Sequence, residues 1–330
     1  MSITEGDTRQ DYRVLVTGGS GFIGTNLIDF YRKRGAEVLN LDPGSPLNPE
    51  QSPFWKEHDI LDAEATVDVF REFRPTHVVH LAARADLDEK HDVNVYDVNI
   101  QGVRNVLDGV QQAGSVKRVI VASTMFVCVP GYTPKSEDDY CPHTVYGESK
   151  VLTEKITREY GLSCVWTIVR PAMIWGPYHE RMRDEFFTIL RKGLYFHPGN
   201  TRARRSYGYV GNTVYQIDGI FNAQPDQVDK KVLYLSDPPV SLFDWTDEIS
   251  RKLIGKPVRK IPLVLMQTLA KCGDGLAAIG WKRFPMNSFR LDNMTSDNLV
   301  PTEDINSVVW PLPYSVSDAV DETVQWLNKQ

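Results

Sequence analysis

Apolar residues in the first half of the chain alternate between two habits. Short runs rich in Val, Ile and Leu fall at residues 13–17, 37–41, 77–81, 116–122 and 163–169 and predict strands. Between them, apolar positions recur every three or four residues over 22–34, 63–73, 93–112 and 146–160, which predicts helices. Gly35, Pro75, Gly114 and Gly161 stop those helices. Strands separated by helices pair in parallel through right-handed crossovers, so the expected architecture is a doubly wound α/β sheet of about seven strands. After Pro171 the rhythm loosens. Extended segments over 206–210 and 232–235 mix with helices over 213–222, 242–253 and 315–327. Residues 1–170 therefore read as one domain and 171–330 as mainly a smaller mixed α/β substrate lobe, some of whose elements return to the first sheet.

The 330 residues carry 37 Lys and Arg against 43 Asp and Glu, and the net charge of −6 argues against nucleic acid as a partner. A local cluster of Arg202, Arg204 and Arg205 does not change that balance. Cys128, Cys141, Cys164 and Cys272 show neither metal-ligand nor disulfide-framework spacing, so no metal is expected and the compartment reads as reducing and cytoplasmic. The polar, acidic first dozen residues resemble neither a signal peptide nor a transit peptide. Residues 261–270 form the most apolar window outside the strands. Gln267, Lys271 and Asp274 interrupt it short of the roughly 20 apolar residues that a membrane span needs, so it reads as a core helix rather than a membrane contact.

Gly18, Gly21 and Gly24 follow the first strand and open the first helix. This spacing makes a tight turn, clears side chains from the backbone, and presents helix N–H groups to a pyrophosphate, the signature of a Rossmann-type dinucleotide site. Phe22 and Ile23 lie within that turn. Asp42 ends the second strand, where a carboxylate accepts bonds from ribose hydroxyls and repels a 2′-phosphate, so NAD is expected over NADP. Tyr146 and Lys150, four residues apart, share one face of their helix. An ammonium there is expected to lower the cost of ionising the phenol, which is otherwise protonated up to about pH 10. Ser123 and Thr124 end an apolar run, and either hydroxyl suits the role of holding a reacting C–O group.

With these residues the chain resembles an extended short-chain dehydrogenase/reductase, the family of NAD-dependent nucleotide-sugar epimerases, dehydratases and reductases. The resemblance rests on the glycine loop, Asp59 and Ile60, His80 through Ala83, Asn99, Ser123 and Thr124, Tyr146 and Lys150, and Arg170 with Pro171. It implies that Asp59 and Ile60 flank the adenine, and that Leu81, Ala82, Ala83 and Asn99 adjoin the rest of the cofactor. It also implies that Lys150 binds the nicotinamide ribose and that Thr124 partners Tyr146. Arg205 matches the family's diphosphate-binding arginine, and Arg290 is a second candidate anion contact. The same resemblance implies a homodimer built on the helices around 93–112 and 146–160, with Val151, Leu152, Lys155 and Ile156 in part of the contact.

Some positions depart from the family pattern. Met125 and Phe126 stand where 4,6-dehydratases carry Asp-Glu, which argues against dehydration and makes these two residues part of the substrate wall. Ala172 and Met173 stand in the stretch where many relatives carry an asparagine on the nucleotide diphosphate. The expected activity is hydride exchange at a secondary alcohol or ketone, as a nucleotide-sugar epimerase or 4-keto reductase. The alternatives are a sterol-like dehydrogenase and a non-catalytic NAD-binding regulator. A regulator of that kind usually loses the Tyr or the Lys, and this chain has both.

Overall fold

The structure is a computed structural model that describes residues 8–87, 89–279, 281, 284 and 286–330. Of the segments read above, the first seven residues and Gly280 lie outside the described set. In chain order the first half contains β1 (Arg13–Thr17), α1 (Phe22–Lys33), β2 (Glu37–Asp42), β3 (Trp55–Glu57), α2 (Ala63–Phe73), β4 (His77–His80), α3 (Asp97–Ala113), β5 (Arg118–Ala122), α4 (Val145–Glu159) and β6 (Val165–Pro171). The second half continues with β7 (Met173–Trp175), α5 (Glu180–Met182), α6 (Thr188–Arg191), β8 (Phe196–Pro198), β9 (Arg204–Arg205), β10 (Tyr207–Tyr209), α7 (Val210–Asn222), α8 (Pro225–Val228) and β11 (Lys231–Leu235). It ends with β12 (Val240–Ser241), α9 (Leu242–Ile254), β13 (Arg259–Ile261), α10 (Leu263–Ala278), α11 (Ser288–Thr295), α12 (Glu303–Val308) and α13 (Val316–Leu327).

Seven parallel strands form the central sheet in the order β11-β6-β5-β4-β1-β2-β3. Successive side chains leave opposite faces of a strand. Val14, Val16, Val79, Ile120 and Val169 accordingly join one core with α1, α7, α12 and α13, while Leu15, Val78, Val121 and Ile168 join another under α2 and α3. Burial on both faces is why these strands read as unbroken apolar runs. The strand order reverses between β1 and β4, which opens a crevice at their C-terminal ends.

Three details differ from the periodicity reading. Residues 93–96 form a separate 3-10 turn before α3, with the Asp92 carboxylate accepting from Asn94 N–H. Within the extended stretch over 206–210 only β10 forms; β9 lies just before it, and Val210 already begins α7. The edge strand β3 is too short for an alternation to be visible in sequence. β11 comes from the second half of the chain and pairs with β6 along Thr167 to Pro171.

Candidate active site

The glycine loop is shaped by close approaches. Gly18 has φ +73°, and a Cβ there would lie 2.5 Å from the amide nitrogen of Ala82, in the loop after β4. A Cβ on Gly24 would meet the Gly18 carbonyl oxygen at 2.5 Å, so α1 can start this close to the turn only without a side chain. Gly21 is the N-cap of α1, and no side chain occupies the capping position. The start of α1 therefore offers its N–H groups to an anion.

Asp42, at the end of β2, accepts from Ser20 N–H at 3.2 Å and Gly44 N–H at 2.8 Å. Its pKa is raised, mainly by burial, with the two N–H bonds working the other way. The carboxylate thus sits against the glycine loop, in position for a ribose edge.

Other expected cofactor residues differ in how they face the crevice. Leu81 and Ala83 line it, and Ala82 forms its floor against Gly18. Asp59 is exposed and caps its own turn by accepting from Leu61 N–H at 2.9 Å. The side chain of Ile60 packs instead into the core against α3, where Gly102 makes room for it. The amide of Asn99 is fully occupied: Nδ2 donates to Arg84 O (3.0 Å) and Ser149 Oγ (2.9 Å), and Oδ1 accepts from Arg84 N–H (2.8 Å). It braces the loop after β4 against α4 rather than offering a free group to a ligand.

Thr124 follows β5 and caps a 3-10 turn, its Oγ1 accepting from Phe126 N–H at 3.2 Å. α4 begins opposite, with Thr144 Oγ1 accepting from Gly147 N–H at 3.0 Å. A Cβ on Gly147 would lie 2.4 Å from the Phe126 carbonyl oxygen, so only glycine lets α4 seat this tightly on that turn. The seating brings the Tyr146 phenol and the Thr124 hydroxyl to the same cleft, close enough for Thr124 to favour the ionised phenol. Sequence reading did not single out Gly147. Its signal was a glycine in the first turn of a helix, a position of low helix propensity.

The electrostatics reverse one expectation. Burial pushes the Tyr146 phenol up to about 12, and the nearby Thr124 hydroxyl offsets this only in part. Lys150 does not lower it. The buried ammonium donates to Ala122 O at 2.8 Å, and burial pushes Lys150 down to about 8 despite the attraction of Glu154. Desolvation outweighs the helix-face pairing because both groups lie away from water.

Beneath Lys150, at the end of β4, His80 bonds Thr17 Oγ1 through Nδ1 at 2.7 Å. Burial, reinforced by Lys150, lowers His80 to about 3. A base held neutral in the fold but free to protonate when unfolded near pH 6.5 withdraws stability as pH falls from 6.5 toward 3. At pH 4.5 this amounts to about 2–3 kcal/mol. Urea unfolding at pH 7 and pH 4.5 should show that loss, and His80→Asn should remove much of it. His77, also lowered to about 3 by burial, leaves a remainder. An unchanged pH difference in the variant would contradict the assignment.

Gly18, Gly21, Phe22, Ile23, Gly24, Leu81, Ala83, Ser123, Thr124, Tyr146 and Lys150 line a single cleft of about 320 Å³. Its outer wall includes Pro171, Ala172, Ile174 and His179. His179, which sequence reading passed over, packs on the Phe22 ring at a centroid distance of 4.5 Å. On the substrate side, Met125, Ala172 and Tyr234 form a buried apolar patch completed by Phe126 and Val300. Arg205 is reached through the same segment of chain: it pairs in an isolated bridge with Asn298, two residues before Val300. It is 6% exposed, and its Nη2 has no partner among the described residues. Arg290 lies on the exposed side of α11 and is not among the residues lining the cleft. No group of residues suited to a metal ion occurs among the described residues.

Comparison with known proteins agrees with this geometry. Residues 14–229 match the model of the NAD dependent epimerase/dehydratase family. The chain is 29% identical to N-acetyl-alpha-D-glucosaminyl-diphospho-ditrans,octacis-undecaprenol 4-epimerase of Escherichia coli O157:H7, over 95% of this chain and 94% of that one. It is 31% identical to a 3 beta-hydroxysteroid dehydrogenase/Delta 5-->4-isomerase of Mycobacterium tuberculosis, over 71% and 67%. The fold is shared with UDP-glucose 4-epimerase of Thermotoga maritima solved with UDP-glucose, at a TM-score of 0.72 and 22% identity over 96% and 99% of the two chains. A glycine loop and a Thr-Tyr-Lys cluster in one cleft, joined to a match spanning most of the sheet, mean that the chain is an enzyme of the NAD dependent epimerase/dehydratase family.

Proposed function

We propose that the chain is a 4-epimerase acting on a hexose carried through a diphosphate. The observation that carries this reading is the convergence of Thr124, Tyr146 and Lys150 on one cleft bordered by the glycine loop. NAD fits that cleft, with the start of α1 for its pyrophosphate, Asp42 for its adenosine ribose and Lys150 for its nicotinamide ribose. When bound it supplies a hydride acceptor that later gives the hydride back. Thr124 would hold the sugar oxygen, and Tyr146, as the phenolate, would take the hydroxyl proton while the carbon gives up its hydride to the cofactor, leaving a ketone. Once the keto sugar had turned, Tyr146 would return the proton to that oxygen as the opposite face of the carbon regains the hydride, so no cofactor would be consumed. Arg205 suits the diphosphate, because a guanidinium with a buried, unused N–H gains most from a phosphate oxygen.

Nucleotide sugars are one carrier class, in keeping with the Thermotoga maritima enzyme. A second reading, a polyprenyl diphosphate carrier, is favoured by the apolar patch of Met125, Ala172, Tyr234 and Val300 and by the named substrate of the Escherichia coli relative. Incubating the NAD-loaded protein with UDP-N-acetylglucosamine, UDP-glucose and polyprenyl-diphospho-N-acetylglucosamine tests both. One substrate should yield its C4 epimer with no net change in NADH absorbance. Stoichiometric cofactor turnover, or no epimer from any of them, would overturn the proposal.

A homodimer through α3 and α4 belongs to the same reading. Val151 and Ile156 are buried within the chain, which leaves Leu152 and Lys155 as the members of the expected contact set with surface to offer. Sedimentation equilibrium decides it.

A further inference from the structure

The apolar window over 261–270 was expected to be a core helix, and α10 is one on a single face only. Met266, Ala270 and Gly273 turn inward and pack with Leu263, Leu269 and Met286 and with Leu291 of α11. Gly273 is needed there, since a Cβ would lie 1.8 Å from the Met286 carbonyl oxygen. Asp274 ties the two helices by accepting from Ser288 N–H (3.1 Å) and Oγ (2.5 Å). The opposite face of α10 is also mostly uncharged. Val264, Thr268, Cys272, Gly275 and Ile279 follow at helical spacing and are all exposed, with Leu265 beside them. Val264 is 73% and Ile279 79% exposed; Trp281 and Phe289 add aromatic rings at 55% and 71%. No helix among the described residues is long and apolar enough to cross a membrane.

Charge indicates what meets this face. Residues 256–295 contain seven basic side chains (Lys256, Arg259, Lys260, Lys271, Lys282, Arg283 and Arg290) and two acidic ones (Asp274 and Asp292). The segment carries +5 in a chain whose total is −6. Among the described residues Lys256, Arg259, Lys260, Lys271 and Arg290 are exposed against Asp274 and Asp292, so a second copy docking through the same lobe would set positive charge against positive charge, because a two-fold contact places a surface on itself. An anionic lipid surface offers the opposite charge together with an apolar layer, and protruding Trp, Phe and aliphatic side chains among Lys and Arg are the composition that lies in such an interface.

We propose that the exposed face of α10, with Trp281 and with Phe289 at the start of α11, docks on an anionic membrane surface. The same lobe frames the cleft. From α11 the chain runs directly to Asn298, which bridges Arg205, and to Val300, which packs with Met125 and Ala172. A docked molecule therefore brings its substrate mouth close to the bilayer. The use of that placement, access to a sugar on a lipid diphosphate, rests on the second reading of the proposed function; the docking does not.

The full chain, loaded with NAD, is mixed with vesicles of phosphatidylcholine alone or of phosphatidylcholine with phosphatidylglycerol, and pelleted. It should cosediment with the anionic vesicles, not with the neutral ones, and be released by salt. The double variant Val264→Asp/Phe289→Asp should lose at least about tenfold in binding with an unchanged melting temperature. Lys271→Glu, on an exposed position, provides a second variant with the same expected direction. The docking is overturned if native protein ignores anionic vesicles at low salt, or if the variants bind as well as native. It is also overturned if native protein is a dimer that the double variant splits while vesicles attract neither. Binding needs no turnover, so a chain that docks but epimerises nothing refutes the function and leaves the docking standing.

Discussion

Replacing Tyr146 with phenylalanine should lower turnover by about 10²–10⁴-fold while leaving NAD binding and melting temperature near their native values. The substitution removes one hydroxyl beside Thr124. The ring stays, and with it the packing against the buried Tyr96, whose centroid is 6.2 Å away, and against Val145. Burial holds the phenol at about 12, so the positive charge of the oxidised cofactor has to favour the phenolate before Tyr146 can take the sugar's proton; the phenol so formed then donates to the ketone on the return step. Phenylalanine can neither donate that proton nor accept it from the sugar. The measurement is single-turnover hydride transfer alongside cofactor titration. Native rates in the variant would show that another group moves the proton, and a collapse of melting temperature would show a structural role instead.

Glu154→Ala should cost about 3–5 kcal/mol of stability, the largest loss expected from a single side chain in this molecule. Glu154 lies one turn beyond Lys150 on α4 and is fully buried. Its carboxylate accepts from Arg170 Nε and Nη2, both at 2.8 Å, from Ser123 Oγ at 2.6 Å and from Tyr140 OH at 3.0 Å. Burial alone would favour a neutral Arg170. The bonds to Glu154 outweigh it and leave the guanidinium pKa raised. Arg170 also donates to Tyr234 OH at 2.9 Å and to Glu137 O at 2.6 Å, so it cannot swing into water when its partner is lost. Deleting the carboxylate strands a buried cation and frees Ser123, the neighbour of Thr124, so turnover should fall as well. Urea unfolding measures the first effect. The double variant Glu154→Leu/Arg170→Met should regain much of the loss, since an apolar pair leaves no charge unpaired. A loss below about 1 kcal/mol in the single variant would mean that water reaches Arg170.

These two side chains were not equally legible. Tyr146 was visible because its partner, Lys150, lies within the same helix, where spacing alone predicts a shared face. Glu154 was equally regular in spacing, but its partner sits on the next strand, and nothing local marks a buried ion pair. Ile60 and Asn99 show the same limit. Both stand where the family resemblance puts the cofactor, yet packing sends Ile60 into the core and commits the Asn99 amide to Arg84 and Ser149. Gly18 and Gly24 were readable as a loop, and the structure adds the contact that forbids a side chain at each.

What the sequence determined by itself was local and periodic: which runs form strands buried on both faces, where helices stop, that a glycine turn opens α1, and that a phenol and an ammonium share a face of α4. Each depends on residues a few positions apart, over which backbone geometry is nearly invariant. The tertiary structure decided what depends on distance through space. It set the direction of the Tyr146 and Lys150 shifts, because desolvation is a property of everything packed around them. It brought Arg205 to Asn298, two residues from Val300, and it left one face of α10 exposed. Periodicity identifies an apolar helix face, but only the assembled fold determines whether anything covers it.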